Sequence, residues 1–414
     1  MNNSGDLVWI MVSSALVLLM TPGLAFFYGG LVRKKNLIST LMYSFISMGV
    51  VGMIWVLWGY SLAFGGDNAF IGDFKHFLLN NIDLKDGNTL GFILFQGMFA
   101  IITPALITGA FVERFKFSTY LLFLIFWVTL VYVPICRWVW ADSGWLNERG
   151  ALDFAGGTVV HINAAIAAIV AAWLVGPRIN IKKTSKPNSV PFVLIGTALL
   201  WVGWFGFNAG SELAANARAV NAFLVTNIAA AASMVTYFLA DWVKNQRFSA
   251  ISAACGAIAG LVAITPAAGF VSPAYAFVIG LGSGLLCYWA VYTFKKYTSI
   301  DDALDVFAIH GIGGIWGSIA TGLFALSIVG GTSGVIESNT SILVEQLIAI
   351  ATTIGYSFIA TFIILKILDR ITGLRIEILE EAYGMDTPKK KEPNVLHQPL
   401  PTDKFHDDDF PLYK

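Results

Sequence analysis

The chain has 414 residues, of which 57% are hydrophobic and only 13% charged, against roughly 25% charged in an average soluble domain. That composition excludes an ordinary water-soluble globule, and the balance of 26 basic against 26 acidic residues excludes the basic field of a nucleic-acid binder. Cys136, Cys255 and Cys287 lie in or beside apolar runs without CxxC spacing, so neither a disulfide framework nor a zinc site is indicated.

A bilayer crossing takes about 20 mostly apolar helical residues, because the backbone must satisfy its own hydrogen bonds in lipid. Eleven runs meet that need, near 7–31, 37–63, 91–112, 118–139, 156–176, 190–210, 220–242, 250–268, 273–294, 304–327 and 341–366. The fold class is therefore an all-α integral membrane protein of eleven transmembrane helices. The first run starts almost at Met1 but has no basic n-region and no A-x-A cleavage site, so it reads as a retained span. With the N-terminus outside, the inner loops hold Arg33, Lys34, Lys35, Arg114, Lys116, Arg178, Lys182, Lys183, Lys186, Lys244, Arg247, Lys295 and Lys296. Only Lys75, Lys85, Arg137, Arg149 and Arg218 remain outside. The positive-inside rule selects this N-out, C-in orientation.

Gly23, Phe27 and Gly30 in span 1 recur as Gly203, Phe207 and Gly210 in span 6, and Asp153 and His161 in span 5 recur with the same spacing as Asp302 and His310 in span 10. Five spans per copy give an inverted repeat of spans 1–5 (about 5–180) and spans 6–10 (about 188–328), with span 11 (about 341–368) added. Residues 1–370 then form the transmembrane domain and 371–414 a cytoplasmic tail. Within the tail, GLRIEILEEAYGMD (373–386) has the pattern of a short amphipathic helix on Leu374, Ile376, Leu379 and Tyr383. Beyond Pro388 it reads as flexible, with His406 and the aspartates after it a solvated acidic end rather than a metal site.

His161 and His310 are the histidines inside spans, and His76, His397 and His406 fall outside them. At 1.5 Å per residue each lies about 12 Å past its aspartate, near the midplane, where the repeat brings the two together. A single intramembrane histidine is as readily a satisfied interhelical hydrogen bond as a functional group; a symmetry-related pair favours function. No Asp, Glu, Lys or Arg is expected in the middle of a span, so the species crossing the centre should be small and close to neutral. Aromatics gather at span ends near the outer surface: Phe95, Phe99, Trp138, Trp140, Trp204 and Phe207, with Ser211 beside them. Singly these are membrane-belt residues; together their faces can hold a small cation, with the hydroxyl accepting a hydrogen bond. A rival from another class is a haem-bearing electron-transfer subunit, since paired histidines can ligate iron axially.

The run DFAGGTVVHINAA (153–165) resembles the signature of the ammonium transporter (Amt/Mep/Rh) family, Amt branch. PGLAFFYGG (22–30), FQGMF (95–99), GWFGFNAGS (203–211), AGLVAITPAAG (259–269), DVFAIHG (305–311) and GLRI (373–376) resemble further family segments, covering roughly residues 5–386. The resemblance implies a homotrimer in the cell (plasma) membrane, not an enzyme, without a cofactor, each subunit with its own hydrophobic pore. Phe99, Trp140 and Ser211 match an outer vestibule that binds ammonium. Phe99 and Phe207 match the stacked gate with Phe95 beside it, His161 and His310 the twin pore histidines, Trp204 the pore wall, and Asp153 the acid that organises the site. The implied chemistry is recruitment of the cation, loss of its proton, passage of ammonia, and proton transfer along the histidines. Family alternatives are an ammonium sensor and a passive gas channel. The family tail receives a PII-type signalling protein or responds to phosphorylation; here Thr387-Pro388-Lys389 stands where His-Gly often follows the MD.

Overall fold

The computed structural model describes residues 4–179 and 187–387. Lys182, Lys183, Lys186 and the tail beyond Thr387, with His397 and His406, lie outside the described residues. The long helices are α1 (Ser4–Leu31), α2 (Lys34–Phe64), α3 (Gly87–Phe111), α4 (Phe117–Glu148, interrupted after Trp140), α5 (Gly157–Val175), α6 (Val190–Gly210), α7 (Ala217–Asn245), α8 (Ala250–Ile264), α9 (Pro273–Tyr297), α10 (Phe307–Phe324) and α11 (Ser341–Ile371). Ten of these are long and apolar enough to cross a membrane. The exception is α8: the run at 250–268 is helical only through Ile264 and then turns, at Thr265–Phe270, into the α8–α9 connection. Among the described residues there is no sheet, only one antiparallel bridge between Phe115 and Arg375.

Polar residues before the apolar runs set several helix starts, since the first N–H groups of a helix lack intrahelical acceptors. The side chains of Asp86, Ser189, Asn216 and Ser249 each accept from an amide in the first turn of α3, α6, α7 and α8. Small residues then decide which helices meet. The most extensive helix pair is α1 against α6. A Cβ added at Gly23 would come 3.0 Å from the Leu199 Cβ, and one at Gly30 2.7 Å from the Val193 amide nitrogen. On the other helix of the pair, a Cβ at Gly210 would come 2.6 Å from the Ser13 Cβ, and one at Gly203 would collide with Met20. The glycines of each helix thus lie against the other helix along an antiparallel crossing.

Two expectations need correction. Arg137 is not in a loop: it lies in α4 near the turn that follows Trp140, fully buried. Its guanidinium donates to the carbonyls of Asn68, Gly65 and Gly66 and to Ser143, so the α2–α3 connection supplies the acceptors that burial of a cation demands. Nor does a continuous helix join Asp153 to His161. Residues 151–156 are a loop, and α5 starts at Gly157, so four helical steps, about 6 Å of rise, carry the chain to the histidine.

At the face opposite the N-terminus, buried charges pair across helix ends. Glu113 accepts from Arg33 Nε (2.9 Å) and Arg178 Nη1 (3.1 Å), and Arg178 makes a two-pronged contact to Asp301 at 2.8 Å on each oxygen. Burial opposes ionisation of both carboxyls, but the guanidiniums outweigh it and hold Glu113 and Asp301 below the usual carboxylate range. The proximal tail docks here. The Lys116 amide donates to Leu374 O (2.8 Å), and the Ile376 amide to Arg114 O (3.1 Å). Asp386 accepts from the amides of Ile38 (2.7 Å) and Ser39 (2.8 Å), supplying from the tail the cap that α2 lacks. The amphipathic pattern is half right: Leu374 and Ile376 are buried, whereas Leu379 and Tyr383 are exposed and Glu381 is buried on Arg375. Helix forms only over Ile378–Tyr383.

Candidate substrate pathway

The two histidine helices begin in the same way. Asp153 accepts at Oδ1 from the amides of Gly156 (2.7 Å) and Gly157 (2.6 Å), and at Oδ2 from the amides of Thr158 (2.8 Å) and Val159 (3.2 Å) and the Thr158 hydroxyl. Asp302 Oδ2 accepts from the Phe307 amide (2.7 Å), five residues on, as Thr158 is from Asp153. Three residues after each aspartate the backbone turns left-handed, at Gly156 (φ 115°) and Asp305 (φ 62°). Each helix then opens with a π-helical turn, Gly157–Ile162 and Phe307–Gly311, that carries the histidine. Single π turns recur at functional sites because they rotate one side chain out of the regular α register.

These turns bring the imidazoles together. His310 Nδ1 and His161 Nδ1 are 3.3 Å apart and both rings are buried. A neutral ring carries one N–H, so one Nδ1 donates to the other and the two rings hold opposite tautomers. His161 Nε2 has no partner among the described residues. Both rings line a narrow cavity of about 20 Å³, where one water needs about 10–15 Å³. Its remaining wall is almost wholly apolar, with Ile102, Leu106, Val160, Ile258 and Ile309 among the contributors. The haem reading fails on this geometry: two metal–imidazole bonds of about 2.0–2.1 Å on opposite sides of one ion need nitrogens about 4 Å apart, and no macrocycle fits the cavity.

Aromatic rings close the cavity toward the N-terminal face. Phe207 lines it, and Phe99 stacks on Phe207 at 4.3 Å between centroids. Trp140 meets Phe99 edge-on at 5.5 Å, and its indole N–H donates to Asp153 O (2.9 Å), which ties this aromatic group to the start of α5. Ser211 stands one helical turn past Phe207 and donates to Phe207 O (2.8 Å), leaving its lone pairs free to accept. Trp204 stacks on His161 at 5.4 Å, fixed by its indole N–H on the Thr265 hydroxyl (2.8 Å). Phe99, Trp140, Ser211, Phe207, Trp204, His161, His310 and Asp153 therefore form one connected column.

Phe95 does not line the cavity. It is fully buried behind Phe99, edge-on at 4.9 Å, and backs the Phe99 ring instead. Trp138 leaves the group altogether, with its N–H on Phe70 O and its ring against Tyr356. The sequence reading missed Thr265 and Tyr28. Thr265 sits in the quoted AGLVAITPAAG run, and only the fold shows that it receives the Trp204 N–H. Tyr28 lines the far end of the cavity and donates to Leu106 O (2.9 Å); within an apolar span nothing distinguishes it from packing.

The Ammonium Transporter Family model matches residues 8–395. The ammonium transporter of Bacillus subtilis (strain 168) is 46% identical over 390 residues, covering 92% of this chain and 96% of that one. Ammonium transporter Amt1 of Archaeoglobus fulgidus is 46% identical over 392 residues, covering 94% and 99%. Among solved structures, Mep2 of Candida albicans superposes with a TM-score of 0.87 at 34% identity, covering 97% of this chain and 95% of that one. A structure described as Sensor Amt Protein superposes with a TM-score of 0.88 at 30% identity, covering 93% and 98%. The chain is an all-helical membrane protein and belongs to the ammonium transporter family.

Proposed function

We propose that the protein is an electrogenic ammonium transporter: it binds the cation outside, strips one proton, and conducts ammonia and the proton separately to the cytoplasm. It works as a homotrimer of eleven-span subunits in the plasma membrane, N-terminus outside, with the docked tail face as the surface open to a PII-type partner. The observation that carries this reading is the pair of imidazoles 3.3 Å apart in an apolar cavity of about 20 Å³ beneath stacked phenyl rings.

Ammonium meets the faces of Trp140 and Phe99, where attraction to the ring quadrupoles is worth about 0.5–2 kcal/mol, and donates to the Ser211 oxygen. It cannot go further intact, because an apolar passage of this width would cost a bare cation many kcal/mol of hydration. One N–H bond therefore breaks, its electron pair stays on nitrogen, and neutral ammonia passes the Phe99–Phe207 gate. The proton enters at the free His161 Nε2 through water. The Nδ1 proton of His161 then shifts to His310 Nδ1, and the Nε2 proton of His310 leaves on the far side, so charge moves without an ion in the cavity. Potassium has no proton to give and stays out.

Purified protein in liposomes under an ammonium gradient tests the reading: an inward current is expected with ammonium and none with potassium. Ammonia flux without current makes the protein a gas channel, and binding without flux makes it a sensor; either overturns the proposal.

A further inference from the structure

The two aspartates that start the histidine helices are related by the repeat but are not chemically equivalent. Asp153 has both oxygens saturated, by four amides and a hydroxyl, so it has no capacity left for a proton in transit. Asp302 is as buried, at 5% exposure, yet its Oδ2 takes the Phe307 amide, and its Oδ1 meets no donor at hydrogen-bond geometry among the described residues, the Val306 amide only facing the carboxyl. An unsatisfied buried carboxylate oxygen is costly unless it has a use. Its position supplies one. Leu304 and Val306, in the same short segment, line the tail-side end of the cavity, together with Tyr28 from α1. A Cβ on Gly109 would come 2.6 Å from Tyr28 and 2.7 Å from Val306, so α1, α3 and this segment converge there.

We propose that Asp302 is the proton-transfer group at the cytoplasmic end of the pathway: its free Oδ1 takes, through cavity water, the proton that leaves the histidine pair and passes it to cytoplasmic water. This rests on the transport reading above. The step balances: water carries the proton from His310 Nε2, an O–H bond forms at Asp302 Oδ1, and the same bond breaks as the proton leaves.

The groups facing Asp302 are Tyr28 of α1, the Phe307 and Val306 amides, and Asp305, which is itself paired with Lys295 of α9 at 2.7 Å. Burial first, and then Asp305, push the Asp302 carboxyl up to about 7. The sign follows: the carboxylate can accept a proton above that value and loses the ability as inner pH falls through it.

The test uses full-length protein in liposomes, recording ammonium current as inner pH is varied, with ammonium uptake measured in parallel. Wild type should lose current as inner pH falls below about 7. D302N keeps an oxygen for the Phe307 amide but cannot carry a proton; its current should drop about a hundredfold or more, as for loss of a proton-transfer group, and become flat against inner pH. D305N suits a left-handed residue, since asparagine tolerates that conformation, and leaves Asp302 in place; the midpoint of current against inner pH should move to lower pH. Wild-type current and pH profile in D302N, or an unmoved midpoint in D305N, would overturn the proposal, the second even where D302N fails to assemble. A wild-type protein that carries no current overturns the transport reading itself, before any variant is compared.

Discussion

Replacing Asp153 by asparagine tests whether the start of α5 is held by a carboxylate rather than merely by a polar side chain. The carboxylate satisfies the amides of Gly156, Gly157, Thr158 and Val159 and the Thr158 hydroxyl, with two donors on one oxygen and three on the other. Asparagine retains one acceptor oxygen and turns an NH₂ toward the remaining donors. At about 1–3 kcal/mol for each buried donor left without a partner, two such donors cost about 2–6 kcal/mol. The same change at Asp302 keeps one oxygen for the Phe307 amide and leaves at most the Val306 amide without an acceptor, so it should cost at most about 1–3 kcal/mol. Thermal unfolding of the purified variants in one detergent gives the comparison directly. D153N should melt clearly below D302N and lose transport, because His161 stands only four residues into the helix that Asp153 starts. Equal melting of the two variants would refute the idea that hydrogen-bond saturation, rather than position in the repeat, distinguishes the two acids.

Trp140→Leu keeps apolar bulk and removes the ring quadrupole; ammonium affinity should weaken by roughly 1–2 kcal/mol, about five- to thirty-fold, read from the concentration dependence of the current. Because the Trp140 N–H also holds Asp153 O, Trp140→Phe should recover part of the loss. His161→Ala and His310→Ala should each abolish most current, and the double variant should be little worse than the worse single, since one shared hydrogen bond links them; additive losses in well-assembled protein would contradict a joint role. Truncation after Pro388 should leave transport nearly intact, whereas truncation after Thr372 removes Asp386 from the start of α2 and Glu381 from Arg375 and should change it. Equal activity of both truncations would remove the tail from any regulatory role.

The sequence alone determined the membrane class, ten of the long apolar helices and the identity of the polar residues inside them. Each of these follows from local composition and spacing, which the hydrocarbon core reads one segment at a time. The paired histidines were legible because ionisable residues are rare at that depth and these two recur with their aspartates. Tertiary structure decided what each residue does. Phe95 and Phe99 are four residues apart in one motif, yet Phe99 stacks on Phe207 at the cavity's end and Phe95 is buried behind it, a difference that only the tertiary arrangement of the rings makes. Arg137 looked like a loop residue because its carbonyl partners lie about seventy residues earlier in the chain. Leu379 and Tyr383 fit a buried stripe, but the tail is anchored instead by Glu381, on the Ile179 amide, and by Asp386, on the first turn of α2, partners distant in the chain. Asp153 and Asp302 are indistinguishable by spacing. What divides them is the number of donors each fold environment turns toward the carboxylate, a quantity set by loop geometry in three dimensions that no local pattern encodes.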